Sequence, residues 1–187
     1  MWHYIAYGLH MNSDALAEAI RADSPPMSRK ITVTGFQRHF GAVKLLPGGG
    51  KTGRAGTSKN RGTICTITKS AGYSFNGIIY ALDDSQFEQL ITEEASFGFS
   101  PVRILPRQVS TFPQCRNISF EGKKVSFAAA RENVERYQDP NGVYLDSLIA
   151  AAKTYGEGFF QEFIETTYLA DRKQTIKQRY GNLIREG

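Results

Sequence analysis

The residues best placed to do chemistry lie at the N-terminus, in the run WHYIAYGLHMNS from Trp2 to Ser13. Trp2 to Tyr7 is apolar and aromatic apart from His3 and reads as a strand, which breaks at Gly8 and gives way to a helix at about Ser13 or Asp14. A strand that ends in a glycine turn and hands over to a helix gathers several backbone N–H groups in one concavity, before any of them has a helical partner. Such a place suits an anion, or the oxyanion that forms when a carbonyl is attacked. With both faces apolar, the strand itself is expected to be central and buried.

Two further runs bear on chemistry. Ser85-Gln86-Phe87-Glu88 has a capping-box pattern that starts a helix, with Phe87, Leu90 and Ile91 inward and an end near the adjacent carboxylates Glu93 and Glu94. A carboxylate near a helix C-terminus gains nothing from the macrodipole, so this pair reads either as solvated side chains or as a position that something else requires. The glycine-rich basic run Pro47 to Gly62 closes its first part on Gly50-Lys51-Thr52, like a phosphate-binding loop. The first glycine of that motif would fall on Leu45, and no helical pattern follows. A surface loop is predicted, without nucleotide binding, though long enough to act as a lid over an anionic substrate.

Composition narrows the rest. The 187 residues, 41% hydrophobic and 22% charged, suit one globular domain with a sizeable core. Three histidines (His3, His10, His39) and two cysteines (Cys65, Cys115) lack the clustered spacing of a zinc or haem site, so no such metal site is expected, and a reducing compartment is. No apolar run approaches a membrane span and no secretory leader pattern opens the chain, which predicts a cytoplasmic protein without membrane contact. The net charge of +5 is spread over the glycine-rich loop and the C-terminal tail, with no aromatic-basic stripe, so nucleic acid is not expected as the main ligand. A basic adaptor for an anionic partner stays open as an alternative.

The positioning elements follow in order. Asp14 to Arg21 is a short helix with Leu16, Ala19 and Ile20 on one side, stopped by Asp23-Ser24-Pro25-Pro26. Ile31 to Phe40 alternates as a strand in which Gly35 marks a bulge or close approach. Thr63 to Thr68 and Asn76 to Leu82 read as two strands joined by a turn at Ser70-Ala71-Gly72. Pro101 to Val109 and Lys123 to Ala130 supply further strands, with Val102, Ile104, Val125 and Phe127 inward and a polar excursion from Thr111 to Glu121. An alanine-rich helix begins in Asp139 to Ile149, a second covers Phe159 to Ile164 after Gly156-Glu157-Gly158, and Leu169 to Arg185 is a basic helix candidate with Ile176, Tyr180 and Leu183 near one face.

Several of these runs together resemble the gamma-glutamylcyclotransferase-like family, which includes the AIG2-like proteins. That family opens with a strand and a Tyr-Gly-Ser-Asn-Leu/Met loop that cradles substrate; Tyr7, Gly8, Leu9, His10 and Met11 stand there, with Tyr-Gly kept and Ser-Asn replaced by Leu-His. Ile31 to Phe36 and Asn76 to Leu82 are similar to its strands with a Gly-aromatic pair and with a glycine before a buried run. The family's Leu-Asp-x-x-Glu-Gly motif matches Leu90 and Glu94, with Ile91 for Asp and Ala95 for Gly. Its Pro-Ser-x-x-Tyr matches Pro140, Asn141 and Tyr144.

The resemblance covers residues 1–166 and leaves 167–187 as a basic helical extension. It implies an α+β fold, a mixed, barrel-like sheet with surrounding helices. It also implies a cofactor-free reaction on a small gamma-glutamyl amine or peptide, in which the α-amino nitrogen attacks the γ-carbonyl, 5-oxoproline forms and an amine leaves. Glu94 would be the general acid/base in a dry pocket, Tyr7 to Met11 and Tyr144 would line the substrate site, and His10 would hold a substrate carboxylate. The altered Leu9-His10 pair also fits a binding module that has lost the chemistry.

Overall fold

The computed structural model describes residues 1–44, 61–112, 126–130 and 139–185, with no side chains described for 42–44, 61–62 and 183–185. The predicted loop at Pro47 to Gly62, apart from its last two residues, and most of the excursion from Thr111 to Glu121 lie outside the described residues, as do Cys115 and Val125.

The sheet is built on β1 (Trp2–Ala6), β2 (Ser28–Lys44) and β3 (Arg61–Leu82). β1 pairs antiparallel with the far end of β3, from Trp2 opposite Leu82 to Ala6 opposite Ile78. Its other edge pairs in parallel with β6 (Ser126–Ala130), which is flanked by β4 (Ser100–Ile104). β5 (Val109–Thr111) and β7 (Thr167–Tyr168) add to β2, giving a mixed seven-stranded sheet in the order β4-β6-β1-β3-β2-β5, with β7 beside β2. β1 is thus central, as its two apolar faces require, and Ile5 and Ala6 are fully buried.

Between Thr63 and Leu82 the sequence reading is corrected. A turn at Ser70-Ala71-Gly72 does not reverse the chain: β3 is one strand, and both of its parts pair with β2, Phe36 opposite Lys69 and Thr34 opposite Ser74. Only Gly35 of β2 faces residues 70–73, so the turn residues form a bulge, with left-handed backbone at Gly35 (φ 83°) and Gly72 (φ 84°). Such a bulge bends the pair and increases its twist, which is how two long strands curl into a half-barrel.

A buried cation fixes the curl. Arg38 is fully enclosed, and its guanidinium donates to Asn76 O (2.7 Å), Asn76 Oδ1 (3.0 Å), Phe163 O (3.2 Å) and Thr166 Oγ1 (3.0 Å), with the Phe163 ring 4.3 Å away. Burial lowers its pKa to about 10. The ladder places Ile67, not Asn76, opposite Arg38, so their contact exists because the bend brings the two halves of the pair together.

The helices cover this half-barrel. α1 (Ser13–Ala19) starts on Asn12, whose side chain accepts from the amides of Asp14 and Ala15. α2 (Asp84–Ser96) begins two residues before the position expected from Ser85: Asp83 and Gln86 form the capping box. α3 (Gly142–Lys153) starts on Asn141, which accepts from the Tyr144 amide, and α4 (Glu157–Thr166) packs its phenylalanines inward. α5 covers Ile176–Arg185 only. The expected start at Leu169 is overridden because Asp171 turns the chain by accepting from the amides of Lys173 and Gln174. Ile176 is fully buried and Tyr180 packs on the same core.

Candidate active site

A cleft opens where β1 ends. Over residues 61–69 β3 keeps β2 on one edge and has no β1 on the other, because the ladder with β1 stops at Ile78. Tyr7 and Gly8 lie against this edge at Cys65, and with Leu9, His10 and Glu94 of α2 they line a cleft of about 360 Å³ counted out to the open solvent at its mouth. Its wall is made by Tyr4, Tyr7, Gly8, Leu9, His10, Cys65, Glu94, Phe99 and Tyr144, with Ile64 and Ala129.

The first loop is a single 3-10 turn, Leu9–Met11, closed by the Met11 amide donating to Gly8 O (2.9 Å) and the Asn12 amide donating to Leu9 O (2.9 Å). The amides of Leu9 and His10 stand at the N-terminal end of this turn, and both residues line the cleft. A Cβ on Gly8 would meet only Cys65 Cβ, at 3.8 Å, an ordinary contact. The protein does not crowd that position; a methyl there would occupy cleft.

Glu94 projects into the cleft from the last turn of α2 and is only 3% exposed, whereas Glu93 is half-buried. The expected helix end at Glu93-Glu94 moves to Ser96 because Gly98, at φ 77°, provides a left-handed stop. The Phe99 amide donates back to Glu94 O (3.0 Å) and the Gly98 amide to Ala95 O (2.9 Å), a Schellman closure that fixes the backbone of Glu94 and sets Phe99 beside it in the wall. Against the unfavourable helix dipole, the carboxylate has a specific neighbour: His10 Nδ1 lies 3.3 Å from Glu94 Oε1 and 3.0 Å from the Tyr4 hydroxyl.

The other groups are neutral and held. Tyr7 donates its hydroxyl to Ala129 O, tying the end of β1 to β6, and burial keeps its pKa well above the usual phenol value. Burial pushes the Cys65 thiol up to about 12, so it stands in the cleft as a protonated, unreactive group. Tyr144 accepts from the Cys65 amide (3.0 Å), so its hydroxyl satisfies the edge that β1 leaves uncovered.

Of the residues expected at the site, Tyr7, Gly8, Leu9, His10, Glu94 and Tyr144 come together around this cleft. Met11 does not: its side chain is fully enclosed in the core, and its carbonyl accepts from the hydroxyls of Tyr80 (3.2 Å) and Tyr155 (2.6 Å). The 3-10 turn rotates it inward. Tyr4, Cys65 and Phe99 were not anticipated. Gly98 was a readable stop for α2 and so a signal for Phe99; Tyr4 and Cys65 look like ordinary core residues in the sequence. Among the described residues no cluster of potential ligands suits a metal ion, and no helix is long and apolar enough to cross a membrane.

Solved structures share this architecture. The chain superposes on a gamma-glutamyl cyclotransferase with a TM-score of 0.64 at 16% identity, covering 100% of this chain and 99% of that one. An uncharacterised human protein gives 0.62 at 16% identity over 98% of each chain, and YkqA from Bacillus subtilis gives 0.52 at 14% identity over 86% of this chain and 51% of that one. No family model and no curated protein matches. At such identities the likeness is one of fold: an α+β half-barrel of the gamma-glutamyl cyclotransferase type.

Proposed function

We propose that the chain is a gamma-glutamylcyclotransferase-like enzyme that converts a gamma-glutamyl amide into 5-oxoproline and an amine. The observation that carries this reading is the buried Glu94 carboxylate, held on a closed helix end in the same cleft as the Gly8 turn. The fold shared with a gamma-glutamyl cyclotransferase supports it.

In this mechanism the α-amino nitrogen and the γ-carbonyl carbon belong to one molecule, so folding the substrate supplies much of the acceleration. Glu94 takes a proton from the ammonium group, the nitrogen bonds to the carbonyl carbon, and the tetrahedral oxyanion sits against the amides of Gly8 to His10. The oxyanion then collapses, and the carbon–nitrogen bond to the leaving group breaks as Glu94 returns its proton to that nitrogen; the second hydrogen that the ring nitrogen must shed passes through the same carboxylate to the freed amine, which departs as its ammonium. Tyr144 and Tyr7 shape the wall, and His10 bears on Glu94 directly.

Release of 5-oxoproline from a panel of gamma-glutamyl amides and peptides tests the reading. Glu94→Gln should lower turnover at least about a hundredfold with the fold intact, and Glu93→Gln should change little. Equal small effects from both would remove Glu94 from the chemistry. A wild-type chain inactive on the whole panel but binding its members would select the second reading, a binding module, which the imidazole already resting on Oε1 favours.

A further inference from the structure

Resting on that reading, we propose that His10 is the positioning residue for Glu94: its Nδ1–H holds Oε1 and so sets the orientation of the carboxylate in the cleft. The argument is one of donors and acceptors. Nδ1 lies 3.0 Å from the Tyr4 hydroxyl oxygen and 3.3 Å from Glu94 Oε1, and both His10 and Glu94 are almost wholly enclosed. While Glu94 is ionised, a bare Nδ1 would set its lone pair against a carboxylate oxygen in a low-dielectric wall, a repulsive pairing. A proton on Nδ1 turns the same contact into a charge-assisted hydrogen bond, shared with the Tyr4 oxygen.

The ring is held for this task. Tyr4 lies in the central strand, its ring centroid is 5.8 Å from that of His10, and Phe127 backs it at 5.4 Å. His10 is carried on the 3-10 turn and lines the cleft. One residue therefore links the turn to the proposed proton carrier. In the resemblance noted above an asparagine stands at this position; its side-chain N–H can play the same donor role with a shorter reach.

The test combines spectroscopy with kinetics. The chain has three histidines, so the imidazole nitrogen resonances of ¹⁵N-labelled protein are assignable with His3→Gln and His39→Gln variants. His10 Nδ1 should give a protonated, pyrrole-type shift at neutral pH. His10→Phe, which keeps a ring without a donor, should lower kcat roughly ten- to a hundredfold, the range for losing a hydrogen bond to a charged group, with KM within about threefold. His10→Asn should restore most of that loss.

A pyridine-type Nδ1, a fully active His10→Phe, or equal losses in the Asn and Phe variants would each overturn the proposal. A wild-type chain that cyclises nothing while Nδ1 carries its proton would discard the reaction and keep the His10–Glu94 pair.

Discussion

Gly77→Ala tests how the cleft is built. Gly77 lies in β3 just past the point where β1 ends, and a Cβ there would sit 2.7 Å from the Ala6 carbonyl oxygen. A relaxed carbon–oxygen contact is about 3.3 Å or longer, so the Ala6 peptide must retreat by roughly 0.6 Å. The obstacle is backbone in a central strand and cannot rotate away. Overpacking of this kind costs about 1–3 kcal/mol, offset by roughly 0.4–1 kcal/mol from the stiffer unfolded chain.

The expected net loss is about 1–2 kcal/mol, a fall in Tm of roughly 2–8 °C for a domain of this size, measured by scanning calorimetry or circular dichroism. The displaced peptide leads directly into Tyr7 and Gly8, so turnover of a gamma-glutamyl amide should fall about tenfold or more at temperatures where the variant is fully folded. A variant as stable as wild type, or more stable, would refute the close approach of β1 to β3 and with it the origin of the cleft.

Gly8→Ala should behave in the opposite sense: Tm within about 2 °C of wild type, because Cys65 Cβ is a comfortable 3.8 Å away, but turnover or ligand binding reduced by the methyl in the cleft. Ile5→Asp places an unpartnered charge at a fully buried position of the central strand and should leave little soluble protein, read by soluble yield and circular dichroism; normal expression and melting would put the strand on the surface. His39 is buried with Nδ1 donating to Phe40 O (3.0 Å) and Nε2 accepting from Thr68 (2.9 Å), and burial lowers its pKa to about 4. Since the folded value lies below the unfolded one of about 6.5, the folded state binds this proton less readily, and stability on the order of 3 kcal/mol is lost as pH falls from 6.5 through 4. The Tm of His39→Gln should decline less than that of wild type across that window; parallel declines would show that His39 is not the group that titrates.

The parts of the fold that could be read from the sequence were those fixed by local chemistry. The apolar β1, the break at Gly8, the helix that follows and the bulge glycine in β2 each follow from a few adjacent residues. Glu94 was reachable only through the resemblance, whose motif its spacing from Leu90 matches; the bare residues read equally as a solvated pair, and it is the burial of Leu90 and Glu94 on one helix face that sets Glu94 apart. What could not be read depends on contacts distant in sequence. Residues 70–73 carry honest turn chemistry, and only the ladder to β2 on both sides makes them a bulge. Tyr4 looks like core until the 3-10 turn swings His10 back onto its hydroxyl, and Met11 looks like wall until the same turn buries it. Cys65 joins the cleft because β1 stops short of it.

Arg38 has a consequence for the order in which the chain can be completed. Two of its acceptors, on Phe163 and Thr166, lie 125 and 128 residues further along, so the residues of β2 and β3 are synthesised long before the groups that satisfy the buried cation. Until α4 emerges, the guanidinium is better left in water, and the curled pair stays open with it. Closure of the half-barrel is thereby tied to arrival of the C-terminal third. A chain truncated ahead of α4 should accumulate as an open, protease-sensitive sheet rather than as a smaller folded domain.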